Sequence, residues 1–338
     1  TVWVENLSDT TGLKNSIEDL DEIESVETQS LIYSNYTANE TESDSEGQLI
    51  TYIPTENRYR FFNDDLSGYT QQPESILSGE VYVSPSMVSI FGIKLGDKIT
   101  FPIARAGKNL TLTVRGFYED VYMGSSMIGM KGFLISETDR AAALDLIHNA
   151  GIDALARNGA MLHIFSQDEC HLTVSELNSL LNEQTALAEY TESVHSKESI
   201  AGFMLILQNA FSGILLAFVL VLLFVVLIVL GHSISSTIAS DFVNMGILKT
   251  VGFDSSSLRL LQLLQHGIPA AAGLVIGFLL SMPLGGMVTN ATLTTTGVLI
   301  PQTPSLLFMA AAFIFITLLL ALFIFIRTHR IGKITPMK

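Results

Sequence analysis

Three long, uncharged apolar segments dominate the second half of the chain, at residues 211–230, 267–289 and 305–326. A helix rises about 1.5 Å per residue and the hydrocarbon core of a bilayer is about 30 Å thick, so each segment is long enough to span a membrane. A single segment of this kind could be a buried helix of a large soluble protein. Three of them in succession predict an all-α transmembrane module of three helices.

The first half of the chain has a different pattern, with short amphipathic elements between polar turns. Leu13, Ile17, Leu20 and Ile23 recur at helical spacing and predict a helix over residues 13–23. Alternating or β-branched runs predict strands at residues 25–31, 80–84, 97–103, 110–118 and 131–136. A short helix over 85–91, ending at Gly92, is predicted between two of these strands. The first half is therefore predicted to be an α+β domain.

A further helical pattern precedes the first apolar segment. Leu177, Leu180 and Leu181 share one helical face, and Ser175 is suited to cap its start. Because little Pro or Gly separates this pattern from the apolar segment, we expect a continuous stalk helix. The predicted parts are thus an α+β domain over residues 1–172, a stalk helix over 173–203 and a transmembrane domain over 204–338.

Charge is segregated between the two halves and predicts their orientation. Residues 1–200 carry 12 Lys or Arg against 31 Asp or Glu, whereas residues 201–338 carry 6 against 2. Arg327, Arg330, Lys333 and Lys338 follow the third apolar segment, so its C-terminal end is predicted to face the cytoplasm. Counting back, the loop at 232–265 is cytoplasmic and the acidic half lies outside the cell.

With three spans and a cytoplasmic C-terminus, the acidic N-terminal half lies outside the cell. A preceding segment is then needed to direct its export across the membrane. The chain starts Thr1-Val2-Trp3, without an initiator Met or a signal-peptide pattern. We therefore expect a first transmembrane helix to precede these residues in the natural subunit, which would then have at least four spans.

Few residues of this chain suit catalysis or cofactor binding. The acidic balance argues against nucleic acid, because phosphate binding requires Lys and Arg. A single cysteine, Cys170, excludes an intrachain disulfide, and no serine-hydrolase, zinc-protease or phosphate-loop motif occurs. His163, Asp168, Glu169 and His171 could hold a metal but are typical of a polar surface. We expect no catalytic, cofactor or metal site, so any ATP hydrolysis belongs to a partner.

The cytoplasmic loop is too apolar for a free connector. Ile234, Ile238, Phe242 and Met245 recur at helical spacing, so a helix with one apolar stripe continues out of the membrane. Gly252 is suited to a left-handed C-terminal cap, and Asp254 or a following serine can cap the next helix. The pattern predicts a short helix between two long ones.

The same stretch resembles a known family. Met245-Gly-Ile-Leu-Lys-Thr-Val-Gly-Phe-Asp, then a Leu-rich run and a Gly-rich span, is similar to the coupling segment of FtsX/MacB-type ABC transporter permeases. The tail Arg330-Ile-Gly-Lys-Ile-Thr-Pro is similar to the end of the same domain. The resemblance covers about residues 205–338. Asn244 departs from it where the family often has Glu, as does Gln265 or His266 where an acid is common.

A second resemblance lies in the acidic half. The run at 81–100, with its turn at Gly96-Asp97, and the strand pattern at 112–119 resemble the periplasmic-core domain of the MacB group. Together the two resemblances imply an extracytoplasmic α+β domain joined to an FtsX-like permease domain.

The resemblance also implies how the loop would work. Residues 241–252 would seat in a groove of a separate ATPase subunit and receive its motion; an ordinary interfacial helix is the alternative. The predicted ATPase-coupling residues are Asp241, Phe242, Asn244, Met245, Gly246, Ile247, Leu248, Lys249 and Gly252. Separately, Gly273 and Gly277 form a small-residue stripe suited to close helix packing.

The predicted function is that of a permease subunit in the bacterial cytoplasmic membrane, exporting or extracting a peptide, antibiotic or lipoprotein-like substrate. The expected partners are an ABC ATPase, a second permease copy or half, membrane lipid and an extracytoplasmic protein or peptide. The alternative is a non-transporting lever that regulates a cell-wall hydrolase or sensor kinase. A third class is a membrane-anchored sensor or adhesin without an ATPase. Scarce ionisable residues in the spans argue against a secondary transporter.

Overall fold

The computed structural model describes residues 1–6, 10–56, 58–299 and 306–328. The chain divides into two compact units. The first, called here the α+β unit, comprises residues 1–207 and 289–300. The second, the helical unit, comprises residues 208–288 and 301–338. The predicted fold class, an α+β domain followed by an all-α module of three apolar helices, is confirmed.

The elements fall into thirteen strands and nine helices within the described residues. The strands are β1 (Val2–Glu5), β2 (Ile23–Ser34), β3 (Thr37–Ala38), β4 (Thr41–Glu42), β5 (Gly47–Thr51), β6 (Arg60–Phe62), β7 (Tyr69–Thr70), β8 (Glu80–Val83), β9 (Lys98–Ala104), β10 (Lys108–Glu119), β11 (Lys131–Ile135), β12 (Arg157–Ser166) and β13 (Thr191–Val194). The helices are α1 (Thr10–Glu18), α2 (Ser86–Phe91), α3 (Glu137–Ala150), α4 (Val174–Gln184), α5 (Leu187–Tyr190), α6 (Lys197–Ser240), α7 (Phe242–Thr250), α8 (Ser255–Thr296) and α9 (Leu306–Thr328).

One sheet organises the α+β unit. Its strand order is β13-β1-β12-β2-β5-β11-β8-β10-β9-β3-β4, and β6 joins it through β10 and carries β7. Neighbours are antiparallel except for β5 with β11 and β8 with β10. The predicted strands at 80–84, 97–103, 110–118 and 131–136 correspond to β8 to β11, and Gly92 ends α2 in the left-handed region at a φ of 67°.

Alternation along the strands divides the core between the two faces of the sheet. Successive strand residues point to opposite faces. In β11, Phe133 and Ile135 join one apolar cluster, whereas Leu134 joins another. The Phe133 ring meets Tyr36 and Phe101 edge-on at centroid distances of 4.8 and 5.0 Å. Both faces of β11 are therefore buried, which explains its uninterrupted apolar run.

A cluster of charged residues around Arg157 links strands β1, β12 and β13 at one edge of the sheet. Arg157 at the start of β12 pairs with Glu5, with Glu46 and, at 3.4 Å, with Glu192. Its guanidinium also lies 4.8 Å from the centre of the Tyr33 ring. One cation thus joins residues from five separate segments of the chain, a role that no local sequence pattern indicates.

The continuous stalk helix predicted over residues 173–203 is wrong. Residues 174–184 and 187–190 form two short helices, and residues 191–194 form a strand that pairs with β1. Leu181 and Leu187 are buried in the apolar cluster that also holds Ile17. Of the leucines that suggested a stalk, Leu181 is buried in this cluster and Leu177 packs against it, and the long helix begins only at Lys197.

The three predicted spans lie within three long helices of the described chain. Residues 211–230 fall within α6 and residues 267–289 within α8, which contains Pro269 and Pro283. The third span corresponds to α9, apart from Ser305, which lies outside the described residues. All three helices are long and apolar enough to cross a membrane. Those hydrophobic surfaces require lipid or protein around them.

The predicted boundary of the transmembrane domain at 204–338 needs a second correction. The last turns of α8 and the residues that follow it, at 289–300, belong to the α+β unit. Leu293 is only 1% exposed and packs in the cluster of Phe133. The apolar and Thr-rich sequence of this stretch gave no sign that it completes a core built from residues 32–156.

His163 on β12 is a half-buried histidine whose neutral form the fold favours. Its Nδ1 pairs with the Thr1 hydroxyl at 2.9 Å, and its Nε2 is buried without a hydrogen-bond partner among the described residues. Burial, assisted by the nearby Arg58 and the Thr1 amino group, lowers the pKa of His163 to about 4. The folded protein therefore holds this imidazole neutral.

We expect stability to fall with acidification because of His163. Its folded pKa lies below the unfolded value of about 6.5, so the unfolded state binds more protons between about pH 4 and 6.5. Stability present above pH 6.5 is lost as the pH falls, by about 2 kcal/mol between pH 7 and 5. Thermal unfolding of the protein in nanodiscs at several pH values measures this loss of stability. His163→Gln should flatten the slope, whereas the exposed His171→Gln should not; an unchanged slope in His163→Gln contradicts the prediction.

Candidate functional site

The candidate site is the segment between the two longest helices, α6 and α8. It starts at Asp241, where the regular helix geometry is interrupted. Asp241 has φ −91° and ψ 8°, which interrupts the helix after Ser240 without a side-chain cap. The Asp241 amide still donates to Thr237 O at 2.9 Å, and the Met245 amide donates to Asp241 O at 2.8 Å. Helical hydrogen bonding therefore continues from α6 into α7 in spite of the changed backbone angles at Asp241.

The C-terminal end of α7 is closed by a Schellman motif. Gly252 has a φ of +105°, and its amide donates to Lys249 O at 3.2 Å. The Phe253 amide reaches back to Leu248 O at 3.0 Å. These two bonds satisfy carbonyls that a helix end leaves without donors. Gly252 thus stops α7 sharply, as predicted from its position.

Asp254 starts the next helix. Its carboxylate accepts from the Ser255 amide at 2.7 Å and from the Ser256 hydroxyl. These bonds, first that of Ser256, lower the pKa of Asp254. The charged form is the one that caps a helix N-terminus best. Only a short turn therefore separates α7 from α8, and both of its ends are fixed by hydrogen bonds.

A small apolar cluster anchors α7 to its neighbours. Met245 is 5% exposed and Leu258 at the start of α8 is 2% exposed. Ile238 of α6 and Leu248 of α7 pack against them. This cluster joins three helices within the helical unit, so side-chain packing holds α7 in place in addition to its two connecting turns.

The opposite face of α7 carries an exposed apolar stripe. Val243, Ile247 and Val251 lie four residues apart on one face and are 51%, 54% and 73% exposed. Phe242 and Phe253 stand exposed nearby at the two ends. Water-exposed stripes of β-branched residues on a nine-residue helix are typical of a surface that a partner covers. We call these three residues the α7 stripe.

The predicted coupling residues divide between the two faces of α7. Phe242, Asn244 and Ile247 are exposed, Leu248 and Lys249 are half-buried, and Met245 and Gly246 are buried. Asp241 and Gly252 form the turns at the two ends. Val243 and Val251 were missed, although their spacing of four from Ile247 was visible in the sequence. The similar tail at 330–336 lies outside the described residues.

The predicted packing glycines line an open groove of the helical unit. Gly273 and Gly277 face a cavity of about 1080 Å³, together with residues such as Val229, Phe278 and Phe313. A methyl group added at either glycine would meet nothing within 4 Å. Close contact to another described helix occurs instead at Gly231, where an added Cβ would lie 3.2 Å from Phe323 and Arg327. The packing role of Gly273 and Gly277 remains a prediction.

The His, Asp and Glu residues that suggested a metal are not assembled into a site among the described residues. Within the described parts of the chain, no group of three His, Cys, Asp or Glu side chains is placed to hold a metal ion. Asp168 and His163 do line one cavity of about 880 Å³ in the α+β unit, whose walls are mainly apolar.

Comparison with known families now identifies the membrane part. Residues 216–336 match the family model described as the FtsX-like permease C-terminal domain. This segment is similar to FtsX-like permeases. The match contains the whole of the α7 segment, and it confirms the recognition made from residues 245–254. An FtsX-like permease segment supports a permease subunit of an ABC transporter and implies a separate ABC ATPase.

Two solved structures are similar to about half of this chain. One is the periplasmic region of MacB from Actinobacillus actinomycetemcomitans, with 15% identity and a TM-score of 0.26, covering 53% of this chain and 75% of that one. The other is the extracellular domain of the noncanonic ABC-type transporter YknZ from Gram-positive bacteria, with 15% identity and a TM-score of 0.27, covering 54% and 92%. A search of curated proteins gave no match.

Proposed function

We propose that this chain is the permease subunit of an ABC transporter, in which a partner ATPase binds the α7 stripe and its motion passes along α6 and α8 to the α+β unit. The observation that carries the proposal is that α7 packs against α6 and α8 through one face and exposes the α7 stripe on the other. Val243, Ile247 and Val251 offer about one side of a short helix to a groove. Burying these side chains would contribute about 1.5–3 kcal/mol each.

The anchoring explains why a push on α7 would be transmitted. Met245 and Leu258 hold α7 to α8, and Ile238 holds it to α6. Backbone hydrogen bonds at Asp241 and Gly252 fix both ends of α7. Packed side chains resist small displacements because interiors are dense. A force on the α7 stripe therefore acts on two long helices at once.

The proposed location is the bacterial cytoplasmic membrane, with the α+β unit outside. Arg327, Arg330 and Lys333 after the last span favour a cytoplasmic C-terminus. The family match supports a separate ATPase, and no phosphate-binding loop occurs in this sequence. A second copy or half of the permease would pack against the groove at Gly273 and Gly277, where small residues allow close approach. The proposed cargo is a peptide, antibiotic or lipoprotein-like molecule.

The test starts from the genes beside this one, where we expect an ABC ATPase, and reconstitutes the full subunit in nanodiscs with that ATPase. We expect the two proteins to purify as one complex and ATP turnover to depend on the permease. Failure of the neighbouring ATPase to bind would contradict the proposal and leave an anchored sensor or adhesin. Turnover stimulated by a peptide or lipopeptide supports export. A hydrolase or kinase that purifies on the α+β unit supports the regulatory lever instead.

A further inference from the structure

The segment between β10 and β11, residues 120–130, is an ordered loop that we call the bridging loop. It starts at the half-buried Asp120 and ends just before Lys131, the buried first residue of β11. Asp120 Oδ1 accepts from the Tyr122 and Met123 amides at 3.0 and 2.9 Å. Lys131 is 1% exposed, and its Nζ donates to the carbonyls of Met123, Ser125 and Ile128. These bonds fix the loop backbone, since a buried ammonium needs such acceptors.

The bridging loop caps the C-terminal end of α8. The last four carbonyls of a helix lack donors within the helix. Thr295 O, in that last turn, accepts from the Ser126 amide at 2.8 Å and from the hydroxyls of Ser125 and Ser126, each at 3.2 Å. On α2, the Ser89 hydroxyl donates to Thr294 O at 2.9 Å. Donors from the sheet's loops thus complete a helix that starts some 40 residues earlier.

Backbone packing reinforces this cap. Gly297 follows α8 with a φ of +75°, and a Cβ there would lie 2.4 Å from the carbonyl carbon and oxygen of Gly124. Side-chain packing adds to it, because Leu293 is buried in the main core cluster. Only a glycine fits at position 297, for both its φ and its contact. The end of α8 is therefore seated in the α+β unit.

The same loop contacts the beginning of α6. The Tyr122 ring lies 6.1 Å from that of Phe203, in the second turn of α6, and 4.4 Å from His195, just before it. Trp3 on β1 packs edge-on against His195 at 5.2 Å. Both long helices that flank α7 in sequence therefore meet one loop of the sheet at their far ends.

We propose that the bridging loop is a second coupling element, which holds the end of α8 and the start of α6 to the sheet so that displacing either helix moves the α+β unit. The inference rests on the proposed function for the source of that displacement. The loop lies between β10 and β11, next to the parallel strand β8 in the middle of the sheet. Motion received there is passed to strands on both sides rather than to a free edge.

Gly297→Ala tests the cap, and Gly107→Ala is its matched control. Gly107 has nearly the same φ, +74°, but an added Cβ there meets nothing within 4 Å. A second variant, Ser125→Ala with Ser126→Ala, removes two donors to Thr295 O without adding strain. Hydrogen exchange of the full subunit in nanodiscs measures the amide of Ser126. We expect about tenfold faster exchange in Gly297→Ala and in the serine variant, and no change in Gly107→Ala.

The coupling is then measured in the complex with the ATPase. In the wild type, ATP should change hydrogen exchange in β8, β10 and β11; in both cap variants that response should be lost while ATP turnover persists. An unchanged Ser126 amide in the cap variants overturns the cap. Faster exchange at Ser126 with a full ATP response in the strands overturns the coupling. Failure of the wild type to bind the ATPase overturns the proposed function and with it the transmission, while the Ser126 amide still reports on the cap.

Discussion

Replacing Ile247 with Asp is expected to abolish binding of the partner ATPase while the subunit stays folded in the membrane. Ile247 is 54% exposed in the middle of the α7 stripe and makes no part of the Met245–Leu258 anchor. In a complex it would be covered, and a carboxylate there would be buried without a partner. That costs about 3 kcal/mol or more, roughly a hundredfold in affinity.

The measurement is titration of the nanodisc-embedded subunit with the ATPase, followed by ATP turnover. Ser257→Asp is the matched control, because it adds the same charge at an exposed position in the first turn of α8, outside the stripe. We expect it to bind like the wild type. If Ile247→Asp binds normally, the α7 stripe is not the docking surface, and α7 is an ordinary interfacial helix covered by lipid headgroups.

Replacing Arg157 with Met is expected to destabilise the α+β unit by about 2–3 kcal/mol. Removal of the guanidinium leaves Glu5, Glu46 and Glu192 near one another without their shared cation. It also removes the contact with the Tyr33 ring, worth about 1 kcal/mol. The estimate is below that for a fully buried pair, because the side chain of Arg157 is 29% exposed.

Chemical unfolding followed by fluorescence of Trp3, the single tryptophan, measures the loss, since Trp3 lies on β1 beside the charged cluster. Arg105→Met is the control: Arg105 and Asp153 form a surface pair at 3.6 Å with both side chains more than half exposed. It should change stability by less than about 0.5 kcal/mol. Arg157→Lys should recover only part of the loss, because an ammonium cannot hold three carboxylates in the geometry of a guanidinium. Equal stability of Arg157→Met and the wild type contradicts this role.

The features that the sequence predicted well are those fixed by neighbouring residues. Length and hydrophobicity alone place the three spans, because bilayer thickness sets how many residues a helix needs. Gly252 and Asp254 mark the turn between α7 and α8, because a left-handed φ and a helix N-cap each favour particular residues locally. Alternation placed β8 to β11 within one or two residues. The similarity to FtsX-like permeases was recognised in the same way, through a local motif, whereas the coupling role of that segment stays a prediction.

The errors came from residues whose partners are distant in the chain. The leucines at 177–181 gave a correct helix, but only the fold shows that Leu181 faces the core of α1 and β2 rather than a continuous stalk. Helical periodicity shows which face of a helix is buried, but it does not show which part of the protein covers that face. For α7, the same ambiguity concealed which side is anchored by Leu258 and which side, through Val243 and Val251, is open.

By itself, then, the sequence determined a membrane protein with a charged α+β part, three spans and a family-typical segment between two of them. Tertiary structure alone decided that the end of α8 belongs to the α+β unit, where serines 125 and 126 cap Thr295 O and Leu293 completes the core. The physical reason is that capping donors and core neighbours can come from anywhere in the chain. Spans and turns depend on consecutive residues; the contacts that join them depend on residues brought together only by folding.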